Sequence, residues 1–101
     1  MQIQLSGHHM DITPALRQYV EEKMDRLARH VEGVGKVHVV LSVEKQRQRS
    51  EATIHMQRGT VFADSEAEDM YASIDALVDK LDRQILKQKE KNTDYRSGVA
   101  R

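Results

Sequence analysis

The sequence predicts an α+β domain in the order β-α-β-β-β-α, a four-stranded mixed sheet with two helices packed on one face. Three observations carry this. Val37, Val39, Leu41 and Val43 alternate with His38, Val40, Ser42 and Glu44, the two-residue period of a strand with one buried face. Leu16, Val20, Met24, Leu27 and Val31 recur at spacings of four, four, three and four, which makes one apolar stripe on a helix. Met70, Ile74, Leu77 or Val78, Leu81 and Ile85 repeat that stripe in a second long helix.

The elements follow in order. Ile3 and Leu5 alternate with Gln2, Gln4 and Ser6 in a short first strand, and Gly7, His8 and His9 form a loop. Thr13 and Pro14 start the first helix: threonine supplies the capping oxygen, and proline sits first, where its missing N–H costs nothing. Gly33 and Gly35 end that helix and turn the chain into the valine-rich strand. Residues 45–50, KQRQRS, hold no apolar side chain and read as a basic hairpin tip or ragged strand ends. Ala52, Ile54 and Met56 alternate as a third strand, Arg58-Gly59 makes a turn, and residues 60–64 form the fourth. A helical crossover makes the first two strands parallel, and short turns make the others antiparallel. Residues 1–91 are read as one domain and residues 92–101, NTDYRSGVAR, as a flexible tail. Met10, Met24, Met56 and Met70 fall at or beside core positions, where they are expected to pack.

Composition narrows the function. At 101 residues and 39% apolar content the chain supports one core. Sixteen Lys and Arg balance sixteen Asp and Glu, so an electrostatic role must come from where the charges sit. The absence of cysteine removes disulfides, thiol catalysis and cysteine-based zinc sites. The N-terminus is too short and polar for a signal peptide, and no apolar run approaches a membrane span, so a cytoplasmic protein without membrane contact is expected. An aromatic content of 4% disfavours single-strand binders that rely on stacking platforms.

The charges are polarised along the second helix. Between Val61 and Asp79, before and into that helix, stand Asp64, Glu66, Glu68, Asp69, Asp75 and Asp79 with no Lys or Arg among them. From residue 80 onward the bases are Lys80, Arg83, Lys87, Lys89, Lys91, Arg96 and Arg101, against Asp82, Glu90 and Asp94. The helix macrodipole accounts for acids at the start and bases at the end, but it fades beyond the terminal turn. Here the basic run starts three turns before the expected end. Lys80, Arg83, Lys87 and Lys91 lie at spacings of three, four and four, one stripe of long cations suited to a phosphate backbone. A solvated face is the ordinary alternative. Lys23, Arg26 and Arg29 of the first helix, interleaved with Glu21, Glu22 and Asp25, would extend the basic surface if the helices lie side by side.

Other constellations are weaker. His8 and His9 are adjacent, and His38 and His55 occupy polar strand positions that pairing could bring together. No H-x-x-x-H or H-E-x-x-H spacing exists, so no metal or cofactor is expected beyond adventitious metal at His8 and His9. A hydrolase using His8 or His9 lacks any paired acid and base spacing; it would predict RNA turnover lost when both become alanine. A protein-interaction module with charged helices is the third class. It would keep its partner when Lys80, Arg83 and Lys87 are replaced.

Three stretches carry a resemblance: MQIQLSGHHMDITPALRQYVEEKMDRL, VHVVLSVEK and DMYASIDALVDKLDRQILKQKEK. They are similar to the ribosome hibernation promoting factors and the related ribosome-associated inhibitor, the sigma-54 modulation protein family, over residue 1 to about residue 91. The ITPALR helix start and the DMYASIDALVDKLDRQ block are the most specific parts. The resemblance implies a fold akin to double-stranded-RNA-binding domains and a non-enzymatic protein, monomeric off the ribosome. It implies binding to the small ribosomal subunit and its 16S rRNA between head and body, over the messenger and transfer-RNA sites at A and P, in stationary phase or starvation. It maps the rRNA contacts onto Lys80, Arg83, Lys87, Lys89 and Lys91, with Gln88 departing from a stretch often more basic in relatives. The length fits the short members, which favour 100S dimers of 70S ribosomes together with ribosome modulation factor. The inhibitor type, which silences 70S ribosomes without dimerisation, is the alternative.

Overall fold

The computed structural model describes residues 2–29, 33–57 and 59–99, with side chains to residue 88. The order is β1 (Gln2–His8), α1 (Pro14–Ala28), β2 (Val34–Glu44), β3 (Arg47–Met56), β4 (Gly59–Ala67) and α2 (Met70–Val99). The strands lie in sequence order, with β1 parallel to β2 and the other pairs antiparallel, as the connections require.

Each helix starts on a side-chain cap. Thr13 accepts from the Leu16 N–H at 3.1 Å, with Pro14 first in α1. The Asp69 carboxylate accepts from the Ala72 N–H at 3.1 Å, so the acid nearest the start of α2 caps it. Leu16, Val20, Met24 and Leu27 of α1, and Met70, Ile74, Leu77, Leu81 and Ile85 of α2, close over Val37, Val39, Leu41, Ala52, Ile54, Val61 and Ala63 of the sheet. Val78 packs at the margin, so Leu77 takes the core position. Met24 and Met70 are buried in the core, and Met10 and Met56 pack partly against it. Val31 lies outside the described residues.

The strands run further than alternation of large apolar residues suggests. β2 and β3 meet at a two-residue turn, Lys45-Gln46, with Lys45 in the left-handed region (φ 57°). Gln48, Arg49 and Ser50, expected at a hairpin tip or ragged strand ends, are in β3. Their alternation is of small polar inside and charged outside. Ser50 faces the core, fully buried, and its hydroxyl lies 2.8 Å from the Ser73 hydroxyl and 3.0 Å from the Ser73 carbonyl. Ser73 in turn donates to the Ser65 carbonyl at 3.0 Å. This serine relay fastens α2 to β3 and β4 and carries β4 past residue 64 to Ala67. On the outer face Arg49 reaches Asp64 at 2.6 Å and Glu51 at 3.3 Å, and Arg47 reaches Glu66 at 2.8 Å. Charges that look like a loop in sequence are paired across strands.

The helix does not end at Lys91. Its backbone continues to Val99, because the chain holds no proline after Pro14 and no glycine between Gly59 and Gly98. The boundary expected at residue 92 is therefore not a helix end. Ala100 and Arg101 of the expected tail lie outside the described residues, as does Arg58 of the expected turn.

Candidate nucleic-acid interface

Helical periodicity separates the charges of α2 around its axis as well as along it. With Ile74, Leu77, Leu81 and Ile85 on the sheet, Lys80, Arg83 and Lys87 project from the flank over β4. The Lys80 ammonium donates to the Asp64 carbonyl of β4 at 2.8 Å, which fixes that flank. The Arg83 guanidinium lies 3.0 Å from Asp79, one turn back. Lys87 is exposed and forms no ion pair among the described residues. All three cations remain open to solvent, so exposed ion pairing here is weak and easily exchanged for a phosphate. By helical phase Lys91 continues this flank one turn on, whereas Lys89 falls on the opposite one; their side chains lie outside those described.

The other flank of α2 faces α1 and is acidic. Asp75, Asp79 and Asp82, at spacings of four and three, line a groove of about 310 Å³ with Lys23, Arg26, Leu27 and Val78. Lys23 lies 3.6 Å from Asp75 and 5.2 Å above the Tyr19 ring, which itself meets Tyr71 edge-on at 4.9 Å. Arg29 closes α1, its N–H donating to the Asp25 carbonyl at 3.2 Å. Lys23 and Arg26 thus face carboxylates, and the basic surface expected to run across both helices is interrupted by an acidic row. The spacing of Asp75, Asp79 and Asp82 carried that signal, but a linear count of charges hides it.

Tyr19 locks the two helices. Its phenol donates to Asp75 at 2.5 Å, and that hydrogen bond, with partial burial and the Asp75 charge, pushes the Tyr19 pKa up from 10.0 to about 12. An unfolded tyrosine ionises first as pH rises, so this contribution is full below pH 10 and is lost between pH 10 and about 12. Tyr19→Phe is expected to be less stable than the parent at neutral pH and to converge with it across that interval, read by chemical denaturation at each pH. On the sheet the Arg49 hydrogen bond holds the Asp64 carboxyl below its usual range.

Among the described residues the two strand histidines are not paired. His38 lies opposite Thr53 and His55 opposite Lys36, so the two share a face without being paired. The His8 and His9 rings are 4.1 Å apart beside Lys45, Arg47 and Arg49. Among the described residues no three of His, Cys, Asp or Glu are placed to hold a metal ion. No helix of the described residues is long and apolar enough to cross a membrane.

The family model described as "Sigma 54 modulation protein / S30EA ribosomal protein" matches residues 3–93. The chain belongs to this family. A ribosome hibernation promoting factor of Azotobacter vinelandii is 52% identical over 98 residues, covering 97% of this chain and 92% of that relative. A ribosomal subunit interface protein from Coxiella burnetii superposes with a TM-score of 0.85 at 32% identity, covering 89% of this chain and 99% of that one. The N-terminal domain of Thermus thermophilus Protein Y does so at 0.79 and 40%, covering 84% and 96%. The curated relatives are named for ribosome hibernation rather than for a reaction.

Proposed function

We propose that this S30EA-family protein silences translation by occupying the decoding channel of the small ribosomal subunit. The observation that carries the reading is the open row of Lys80, Arg83 and Lys87 on a chain whose relatives are named ribosome hibernation promoting factors. These cations grip 16S rRNA phosphates, with Lys89 and Lys91 completing the contact set and Lys23, Arg26 and Arg29 adding peripheral ones. The body of the domain fills the A and P sites, and messenger and transfer-RNA anticodon arms are excluded by volume. No bond is made or broken. The capped, acidic start of α2 stays away from RNA, and zero net charge limits indiscriminate attraction to nucleic acid.

The protein acts in the cytoplasm as a monomer until it meets the ribosome, in stationary phase or starvation, and favours 100S dimers with ribosome modulation factor. The name shared by its relatives supports this over the inhibitor type. If five cations contact phosphates, log affinity for the small subunit falls against log salt with a slope of about −3.5. Filter-binding or sedimentation titrations across salt concentrations read that slope, and a slope near zero would contradict phosphate contact.

A further inference from the structure

Among the described residues no element covers the sheet face opposite the helices, and its residues are sorted in a way that the proposed silencing role does not use. Strand register aligns Gln4, His38, Thr53 and Phe62 in one row across all four strands. A neighbouring row holds Gln2, Lys36, His55 and Thr60. Strands are ~4.8 Å apart and successive same-face positions ~7 Å apart, so the two rows make a plate about 14 Å across. It contains no carboxylate. The acids of this face begin in the next row, with Glu51 and Asp64, where Arg49 neutralises them.

Phe62 is the anomaly. The residue is 50% exposed on a strand whose inward neighbours Val61 and Ala63 are buried. Among the described residues the exposed Tyr71 ring meets Tyr19 edge-on, whereas Phe62 makes no contact with another ring. Lys36, His38 and His55 are exposed and form no ion pair or side-chain hydrogen bond among the described residues. A flat polar plate with one open ring, amide and hydroxyl groups around it and an unpaired lysine matches the chemistry of an unpaired nucleotide segment. The ring stacks on a base, which any base offers; amides and hydroxyls meet base edges; the ammonium takes a phosphate. A single ring among few aromatics suits one stacked base, not a run of them.

We infer that the open face of the sheet is a second RNA-binding surface, on which an unpaired nucleotide stacks on Phe62 with its backbone phosphate at Lys36. It lies on the side of the sheet opposite the helices and is independent of the α2 cations.

Titration of the full chain with hexauridylate, followed by backbone amide shifts, tests this. Shifts are expected at Thr53, His55, Phe62 and Lys36. Phe62→Ala is expected to weaken binding at least about fivefold, and Phe62→Tyr to restore it, because the ring and not the residue is needed. Lys36→Ala is expected to reduce the salt slope by about one. The Lys80, Arg83 and Lys87 triple alanine variant is expected to keep the sheet shifts whether or not it still binds subunits, which separates this surface from the decoding-channel reading. Absence of shifts, shifts confined to α2, loss of the sheet shifts in the triple variant, or unchanged affinity in Phe62→Ala would overturn the inference.

Discussion

Replacing Lys80, Arg83 and Lys87 together by alanine is expected to lower affinity for the small subunit at least about a hundredfold, with the fold intact. Each lost charge-assisted contact is worth roughly 1.5–3 kcal/mol, and three adjacent losses do not sum in full. The fold survives because none of the three side chains is buried. Lys80 gives up one bond to a strand carbonyl and Arg83 one exposed pair with Asp79. Surface changes of this kind alter stability by within about 0.5 kcal/mol each. Sedimentation with purified subunits, beside a thermal melt of the same sample, reads both halves of this expectation. Retained binding would leave the flank a solvated helix face and favour a protein-interaction module.

The second large effect is on the core. Leu81→Ala is expected to cost about 2–5 kcal/mol, because Leu81 is 0% exposed beneath α2 and its removal leaves a cavity. A domain of this size holds only ~5–15 kcal/mol in total. The melting temperature should fall by roughly 10 °C or more. Leu81 adjoins Lys80, so the same truncation loosens the helix that presents the cations. Subunit binding should weaken on warming well before it weakens in the parent. A Leu81→Ala protein with an unchanged melt would mean that α2 is not anchored as described.

The fold was legible where large apolar residues keep one period. The α1 stripe from Leu16 to Leu27, the β2 alternation and the Thr13-Pro14 start each contain enough contrast between buried and exposed positions to identify themselves. Legibility failed where burial is carried by small polar groups. Ser50, Ser65 and Ser73 look like surface residues in a linear reading, but the Ser50 and Ser73 hydroxyls meet each other and the Ser73 and Ser65 main-chain carbonyls inside the core, and two strands are longer for it. Arg47 and Arg49 read as a hairpin tip or ragged strand ends because their partners, Glu66 and Asp64, lie fifteen residues and more downstream.

The candidate site was partly legible in the same sense. The spacing of Lys80, Arg83 and Lys87 placed them on one flank without a structure. What it could not give was which neighbour each flank faces. The β4 side leaves those cations open, while the α1 side puts Asp75, Asp79 and Asp82 against Lys23 and Arg26. The polarity of α2 is therefore two separations at once: a capped acidic start against a basic continuation, and an acidic flank against a basic one. Phe62 and the rows beside it required strand register, which no periodicity within one strand supplies.

Co-sedimentation with isolated small subunits shows whether the protein occludes the decoding channel. Purified protein is spun with subunits that are empty and with subunits preloaded with a messenger and initiator transfer RNA. The protein is expected to pellet with empty subunits and to stay in the supernatant when the channel is filled. Equal pelleting with empty and filled subunits would place it elsewhere on the particle and contradict occlusion.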